Sequence, residues 1–145
     1  MDPSSTPYIG HVDGVSRFSR NLYLAALAIF TPLHMLVLSN GVYIRSATNN
    51  QAEYDVVIGL LVDALAHCIL HIHVRLDSLL LVMQLNGVYH MHNQVLFRKY
   101  VRVKLLVCEF ETITFNNIPR AQNNYVDTIA NNIQDSHLSH VYHKR

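Results

Sequence analysis

The sequence predicts an α/β protein of one domain, built around a single mixed β-sheet. Half of its 145 residues are hydrophobic and only 14% are charged, which is enough apolar material for one core of ordinary size. Segments typical of strands and of helices follow one another along the chain, and no internal repeat divides it. We place the domain at residues 8–135 and expect flexible ends at residues 1–7 and 136–145.

Three strands are predicted to open the chain. Residues 8–14, YIGHVDG, alternate loosely and end in an Asp-Gly turn. Residues 22–30, LYLAALAIF, are apolar on both faces, as in a strand that is covered on both sides. Residues 34–46 carry Asn40-Gly41 between two β-rich arms, so this segment is either a hairpin or a third strand with a bulge.

The middle and end of the chain are predicted to be mostly helical. A long helix from residue 49 to about residue 70 is apolar almost all round, which is typical of a buried helix. A β-rich segment follows and ends at Asp77-Ser78, a pair that suits a helix N-cap. The remaining predicted elements are a strand at 71–77, helices at 78–85 and 94–110, a strand at 111–119 and a helix at 125–134.

The composition excludes several classes of protein. The charged and apolar content excludes a disordered tail, and a net charge of +1 gives no overall sign of nucleic-acid binding. No apolar run reaches the ~18 residues of a membrane span, and the first residues, MDPSSTPY, do not resemble a signal peptide. We therefore expect no membrane association and an intracellular protein, cytoplasmic or nuclear. Cys68 and Cys108 lie in apolar runs and are predicted to be small core residues.

Four carboxylates occupy similar places in the predicted fold. Asp13 and Asp77 end strands, while Glu53 and Asp127 lie at the starts of helices. Each is ordinary alone as a turn or capping residue, but strand ends and helix starts gather at one edge of an open sheet. Clustered carboxylates repel one another unless a cation neutralises them, and oxygen ligands favour Mg²⁺ or Mn²⁺. The joint pattern favours a metal-dependent nuclease.

Four ordered motifs carry a resemblance to a known family. They are VDG at 12–14, TNNQAEY at 48–54, LDS at 76–78 and IPRAQNNYVDTIA at 118–130. Together they resemble the type 1 ribonuclease H domain, in particular the version in plant gypsy-type retrotransposon polyproteins. The resemblance covers about residues 8–134. The second and fourth motifs are specific at this spacing, whereas VDG and LDS are weak alone.

The resemblance implies a fold, a reaction and a set of site residues. The implied fold is a ribonuclease H-like five-stranded mixed sheet, with three antiparallel strands followed by two parallel ones, flanked by helices. The implied reaction is hydrolysis of the RNA strand of an RNA–DNA hybrid with two Mg²⁺ ions, or Mn²⁺ in their place, in a domain often fused to reverse transcriptase. The implied catalytic and metal-binding residues are Asp13, Glu53, Asp77 and Asp127. The implied nucleic-acid-binding residues are Gly14, Ser16, Thr48, Asn49, Asn50, Gln51, Ser78, Arg120 and Asn123.

Two departures from the family pattern leave alternatives open. No glycine follows Gly14 in the first hairpin, so a residue such as Asn21 must supply the positive φ that a tight turn requires. Leu79 and Met83 stand where family members commonly have polar residues near the substrate. The alternatives are a domain that binds nucleic acid with weak or no catalysis, and a structural domain of a larger polyprotein.

The third predicted helix has a basic edge. It is formed by Arg98, Lys99, Arg102 and Lys104 beside Tyr100. Such an edge either meets nucleic-acid phosphates or is a solvated helix face.

Overall fold

The protein folds around a mixed sheet with three helices in the part of the chain that the structure describes. A computed structural model describes residues 6–12, 15–87, 91, 93–118 and 141–142. The strands are β1 Tyr8–Val12, β2 Ser16–Ser19, β3 Leu22–Phe30, β4 Leu36–Arg45, β5 His71–Leu76, β6 Thr112–Asn117 and β7 Val141–Tyr142. The helices are α1 Asn49–Ala66, α2 Leu79–Leu85 and α3 Gln94–Val107. The predicted helix at 125–134 lies outside the described residues.

The sheet has the predicted arrangement of antiparallel and parallel strands. Its order is β6-β5-β1-β3-β4-β7, and β2 pairs with β3 outside this path. The β1–β3 and β3–β4 pairs are antiparallel, while β1–β5 and β5–β6 are parallel. The predicted five strands are therefore confirmed as β1, β3, β4, β5 and β6. The parallel register sets Val12 beside Leu76, so the carboxyl ends of β1 and β5 meet at one edge of the sheet.

Two short strands add to the predicted sheet. β2 forms a hairpin with β3, and Asn21 in its turn has φ 58°, which confirms the expected substitute for glycine. β7 pairs in parallel with Tyr43 and Ile44 of β4. Most of the two ends predicted to be flexible lies outside the described residues, so the domain limits stay a prediction.

The Asn40-Gly41 pair is neither a hairpin turn nor a bulge. Asn40 pairs with Leu27 and Gly41 with Ala26 in an unbroken β4. The irregularity of this pair of strands lies instead beside Ile29 and Phe30, close to the loop. β4 is continuous at Asn40 and Gly41 because it pairs there with the middle of the long β3.

The main core lies between the sheet and α1. The inward residues of β5 are Ile72, Val74 and Leu76, each almost fully buried. β1 approaches α1 so closely that a Cβ on Gly10 would lie 2.9 Å from Leu60 Cδ2. Burial on most sides of α1 agrees with its all-round apolar pattern. Within the described ranges, no helix combines the length and hydropathy required to cross a membrane.

The prediction that both cysteines lie in the core is wrong. Cys68 and Cys108 are free thiols on the surface. α1 ends at Ala66 and α3 at Val107, earlier than predicted, and each cysteine falls just past a helix end. The apolar runs that contain them continue beyond the helices, which is why composition alone misplaced both residues.

Candidate active site

Glu53 is the most constrained of the predicted site residues. It lies one turn into α1 and is only 9% exposed. Asn49 Nδ2 donates a hydrogen bond to its Oε1 at 2.8 Å. Its Oε2 is buried and has no hydrogen-bond partner among the described residues. A carboxylate held in this way lacks part of the solvation that water would give it.

The electrostatic environment of Glu53 favours its neutral form. Burial is the largest cause and raises the pKa of the Glu53 carboxyl above its ordinary value of 4.5. Hydrogen bonding with the Ser78 side chain lowers this pKa, whereas the negative charge of Asp77 raises it further. A cation beside these carboxylates would reverse this balance, because it would stabilise the ionised form.

Asp77 and Ser78 reach Glu53 from the end of β5. Asp77 follows the last residue of the strand, and Ser78 is the N-cap of α2. The Ser78 hydroxyl accepts a hydrogen bond from Leu81 N at 3.3 Å. The charge of Asp77 acts on the Glu53 carboxyl, so these two predicted catalytic carboxylates lie near each other.

The other predicted carboxylates belong to parts of the chain that the structure does not describe. Asp13 directly follows Val12, the last residue of β1, and Asp127 lies far beyond β6 in the sequence. Gly14, Arg120 and Asn123 also lie outside the described residues. Within the described part, no group of three or more His, Cys, Asp or Glu side chains is arranged to hold a metal ion.

The polar residues at the start of α1 divide into exposed and buried members. Thr48 is the N-cap and accepts a hydrogen bond from Gln51 N at 3.2 Å. Thr48 and Asn49 are exposed, and Asn50 is half-buried. Gln51 is buried, and its Oε1 accepts a hydrogen bond from Ser46 Oγ at 3.5 Å. The exposed side of this turn therefore consists of Thr48 and Asn49.

Ser16 lies away from this turn. It is exposed in β2, where it pairs with Leu24 of β3.

Sequence reasoning missed a buried contact behind the carboxylates. Tyr54 Oη donates a hydrogen bond to Gln84 Oε1 at 2.9 Å, which joins α1 to α2. Burial is the main cause that raises the pKa of the Tyr54 hydroxyl above its ordinary value. One signal in the sequence could have revealed this contact. Tyr54 directly follows Glu53 in a helix that is predicted to be buried, and a buried tyrosine hydroxyl needs a hydrogen-bond partner. The contact fixes the distance between the helix that carries Glu53 and the helix that Ser78 caps.

The predicted basic edge of α3 is only partly on the surface. Lys99 is buried and pairs with Asp55 of α1, with Nζ 2.5 Å from Oδ1. Lys104 Nζ donates to the carbonyl of Leu85 at 2.6 Å and lies over the ring of Tyr100. Both lysines therefore join α3 to its neighbours. This is the structural reason why only Arg98 and Arg102 remain as candidates for solvent or phosphate.

Comparisons with known proteins agree with this geometry. A family model described as reverse transcriptase-like matches residues 14–133. The crystal structure of ribonuclease H1 from the halophilic archaeon Halobacterium salinarum is 32% identical, with a TM-score of 0.81, over 90% of this chain and 98% of that one. The chain belongs to the ribonuclease H family.

Other ribonuclease H proteins resemble the chain over similar lengths. The N-terminal ribonuclease H domain of the Mycobacterium tuberculosis protein Rv2228c is 31% identical, with a TM-score of 0.80, over 91% of this chain and 96% of the chain solved. In sequence, the chain is 34% identical over 125 residues to the whole bifunctional protein and spans 34% of its length. The chain spans 63% of Halobacterium salinarum ribonuclease HI at the same identity. A ribonuclease H1 named LC11, solved in complex with an RNA/DNA hybrid, is 28% identical to this chain with a TM-score of 0.79. The match covers 91% of this chain and 99% of the LC11 chain.

Proposed function

We propose that this chain hydrolyses the RNA strand of RNA–DNA hybrids. The observation that carries the proposal is the meeting of Glu53 and Asp77 at the carboxyl end of β5, beside the exposed polar turn of α1. Membership of the ribonuclease H family supports it, as does the solved hybrid complex of the LC11 relative. An edge where strands end and a helix begins attracts anions such as nucleic-acid phosphates.

The carboxylates fit a divalent metal ion. Glu53 Oε2 is a buried oxygen without a hydrogen-bond partner among the described residues, and Asp77 adds a second charge next to it. Hard oxygen donors of this kind suit Mg²⁺ or Mn²⁺. We propose two such ions, held by Glu53 and Asp77 together with Asp13 and Asp127. Bound metal would supply charge neutralisation at the scissile phosphate and a more acidic water.

The residues of the chain itself have separate tasks in this proposal. Asn49 orients Glu53 through its 2.8 Å hydrogen bond, and Ser78 sets the start of α2 beside the same carboxylate. The exposed amide of Asn49, with half-buried Asn50 beside it, would contact the minor groove, where RNA displays its 2′-hydroxyl groups. Thr48 would lie near a phosphate of the DNA strand. The other proposed nucleic-acid-binding residues are Gly14, Ser16, Asn50, Gln51, Arg120 and Asn123, of which buried Gln51 would act by holding the turn.

Cleavage of a labelled hybrid tests the proposal. The chain with Mg²⁺ is expected to cut the RNA strand of the hybrid and to leave double-stranded DNA of the same sequence intact. Asp77→Asn is expected to lose about 100-fold or more of this activity, since even residues behind metal ligands contribute 10–100-fold. Glu111→Gln is the matched control, because it removes a carboxylate next to His71 at the opposite end of β5. Equal activity of Asp77→Asn and the unmodified chain would refute the proposed site.

A second candidate function is hybrid binding with weak or no catalysis. Leu79, at the start of α2, favours it, because this apolar side chain is 57% exposed where a polar substrate contact was expected. If the chain shifts the hybrid on a native gel but does not cut it even at high protein concentration, this second function is the correct one.

A retroelement origin, an association with reverse transcriptase and an intracellular location stay predictions. The relatives described above from named organisms are archaeal and bacterial.

A further inference from the structure

We infer that three arginines at the end of the β2–β3 hairpin form a phosphate-binding surface for the backbone of the hybrid. They are Arg17 and Arg20 in the hairpin and Arg45 at the end of β4, and all three are exposed. We call them the hairpin arginines. The inference rests on the proposed function. It adds a second contact with the substrate, away from the carboxylates, that does not depend on the base sequence of the hybrid.

The hairpin is attached directly to the start of α1. The carbonyl of Asn21, in the hairpin turn, accepts a hydrogen bond from Ser46 N at 3.0 Å. Ser46 is two residues before Thr48, the N-cap of α1. Arg20 precedes Asn21, and Arg45 precedes Ser46, so both arginines adjoin this hydrogen bond along the chain. A duplex that contacts the exposed turn at Thr48 would therefore pass close to them.

Strand pairing also gives Arg17 a defined place. Arg17 pairs with Tyr23, and Tyr23 pairs in turn with Ile44. Directly paired residues share one face of a sheet, so Arg17 lies on the same face as Tyr23 and Ile44. Both of these residues belong to the core that packs against α1. Arg45 pairs with Leu22, which packs on the other face, so the hairpin arginines surround this end of the sheet from both faces. Phe18, on the other face, holds β2 in position through an edge-to-face contact with Tyr43 at 5.1 Å between ring centroids.

The charge around these arginines is not balanced locally. From residue 14 to residue 52 the chain contains three arginines, which are the hairpin arginines, and no aspartate or glutamate. Within the described residues, Arg98 is the one other exposed arginine or lysine; Arg75 and Arg102 are half-buried, and Lys99 and Lys104 are bonded inside the fold. Uncompensated exposed arginines attract phosphates and make binding depend on salt concentration. The hairpin end of the sheet thus carries exposed positive charge that no carboxylate in this stretch of the chain balances.

The test measures hybrid affinity against salt concentration. An Asp77→Asn background prevents cleavage, and the three hairpin arginines are changed to Gln together and singly. Each arginine that contacts a phosphate contributes about 1 to the slope of log Kd against log salt, so the triple variant should flatten it by about 2 to 3. Replacing the same three residues by Lys should restore most of the slope, and Arg98→Gln is the matched control.

The outcomes separate the inference from the proposed function. The inference is overturned if the triple variant keeps the original slope, if Arg98→Gln flattens the slope more than each single hairpin variant does, or if the chain does not bind the hybrid. If the triple variant fails to fold, the salt slopes of the three single variants test the inference instead. If the unmodified chain binds without cutting and the hairpin arginines still set the slope, the proposed catalysis fails and the inference stands.

Discussion

Asn49 Nδ2 donates to Glu53 Oε1 at 2.8 Å, so one amide of the polar turn is bound to the carboxylate of the proposed metal site. The two residues lie four apart on α1, the spacing at which helical side chains meet. The bond satisfies one oxygen of a buried carboxylate and leaves Oε2 for another ligand. The proposed recognition of the hybrid and the proposed binding of metal would therefore share a single helical turn.

Glu53→Gln is expected to abolish cleavage and to stabilise the metal-free fold at neutral pH. The pKa of Glu53 is raised in the folded state, so between its ordinary value of 4.5 and the higher folded value the folded state binds more protons. Unfolding free energy therefore falls as pH rises through this window. Glutamine cannot ionise and still accepts the bond from Asn49, so the advantage of the variant should grow from about pH 4 to about pH 8.

Urea unfolding in EDTA at both pH values measures this effect. Glu109→Gln, in the exposed turn after α3, is the control, because it removes a carboxylate that lacks this burial. The interpretation fails if Glu53→Gln is less stable than the unmodified chain at about pH 8. Adding Mg²⁺ should stabilise the unmodified chain more than the variant, since binding to the folded state alone raises its stability.

Ser78→Ala is expected to reduce both stability and activity. Ser78 caps α2, and loss of such a cap costs about 1 kcal/mol of unfolding free energy. Asn93→Ala removes the corresponding cap of α3, where Asn93 Oδ1 accepts from Leu96 N at 3.1 Å. The two variants should lose similar stability in denaturant, whereas only Ser78→Ala should raise the Mg²⁺ concentration needed for cleavage. An equal change in Mg²⁺ requirement would show that Ser78 acts on the fold alone.

The sequence predicted those parts of the fold in which local pattern and tertiary environment agree. α1 was predicted from its all-round apolar pattern, and β5 and β6 were predicted from an alternation that matches the face each strand buries. Asn21 was predicted to adopt positive φ because few other residues in that hairpin tolerate it. The meeting of Glu53 and Asp77 was expected because strand ends and helix starts gather at one edge of an open sheet, and the family resemblance gave the same pair.

Elements that depend on distant partners were not predictable in the same way. β2, with the sequence SRFS, has every residue exposed and is a strand only because β3 offers it an edge. Lys99 looked like part of a basic surface, but its partner Asp55 lies 44 residues earlier in the sequence. No local pattern shows which of several lysines on a helix will face a carboxylate on another helix.

Lys99→Met is expected to be one of the most destabilising single changes in the chain. Lys99 and Asp55 form an ion pair between α3 and α1 whose side chains are 11% and 8% exposed. Removing one member of a buried pair leaves the other charge poorly compensated, at a cost of about 3–5 kcal/mol. The double variant Lys99→Met/Asp55→Asn should be less destabilised than Lys99→Met, because it also removes the remaining charge.

A double-mutant cycle in chemical denaturant measures the coupling between the two residues. Arg98→Met, one position earlier on the exposed side of α3, is the control and should lose little stability. A cost below about 1 kcal/mol for Lys99→Met would place the pair with exposed salt bridges and contradict the prediction.

Cys68→Gly is expected to stabilise the protein by about 1 kcal/mol, although it removes a side chain. Cys68 follows the C-cap of α1 with φ 58°, a conformation that costs a non-glycine residue about 1–2 kcal/mol. Cys68 N donates to Leu65 O and Ile69 N donates to Ala64 O, both at 3.0 Å, which is the pattern of a helix end that normally uses glycine at this position.

Cys108→Gly is the matched control, because Cys108 ends α3 in an ordinary right-handed conformation with φ −62°. There glycine should destabilise by about 0.5–1 kcal/mol, since it only adds freedom to the unfolded chain. Thermal and urea unfolding of the two variants should therefore shift in opposite directions, and a loss of stability in both would contradict the account of strain at Cys68.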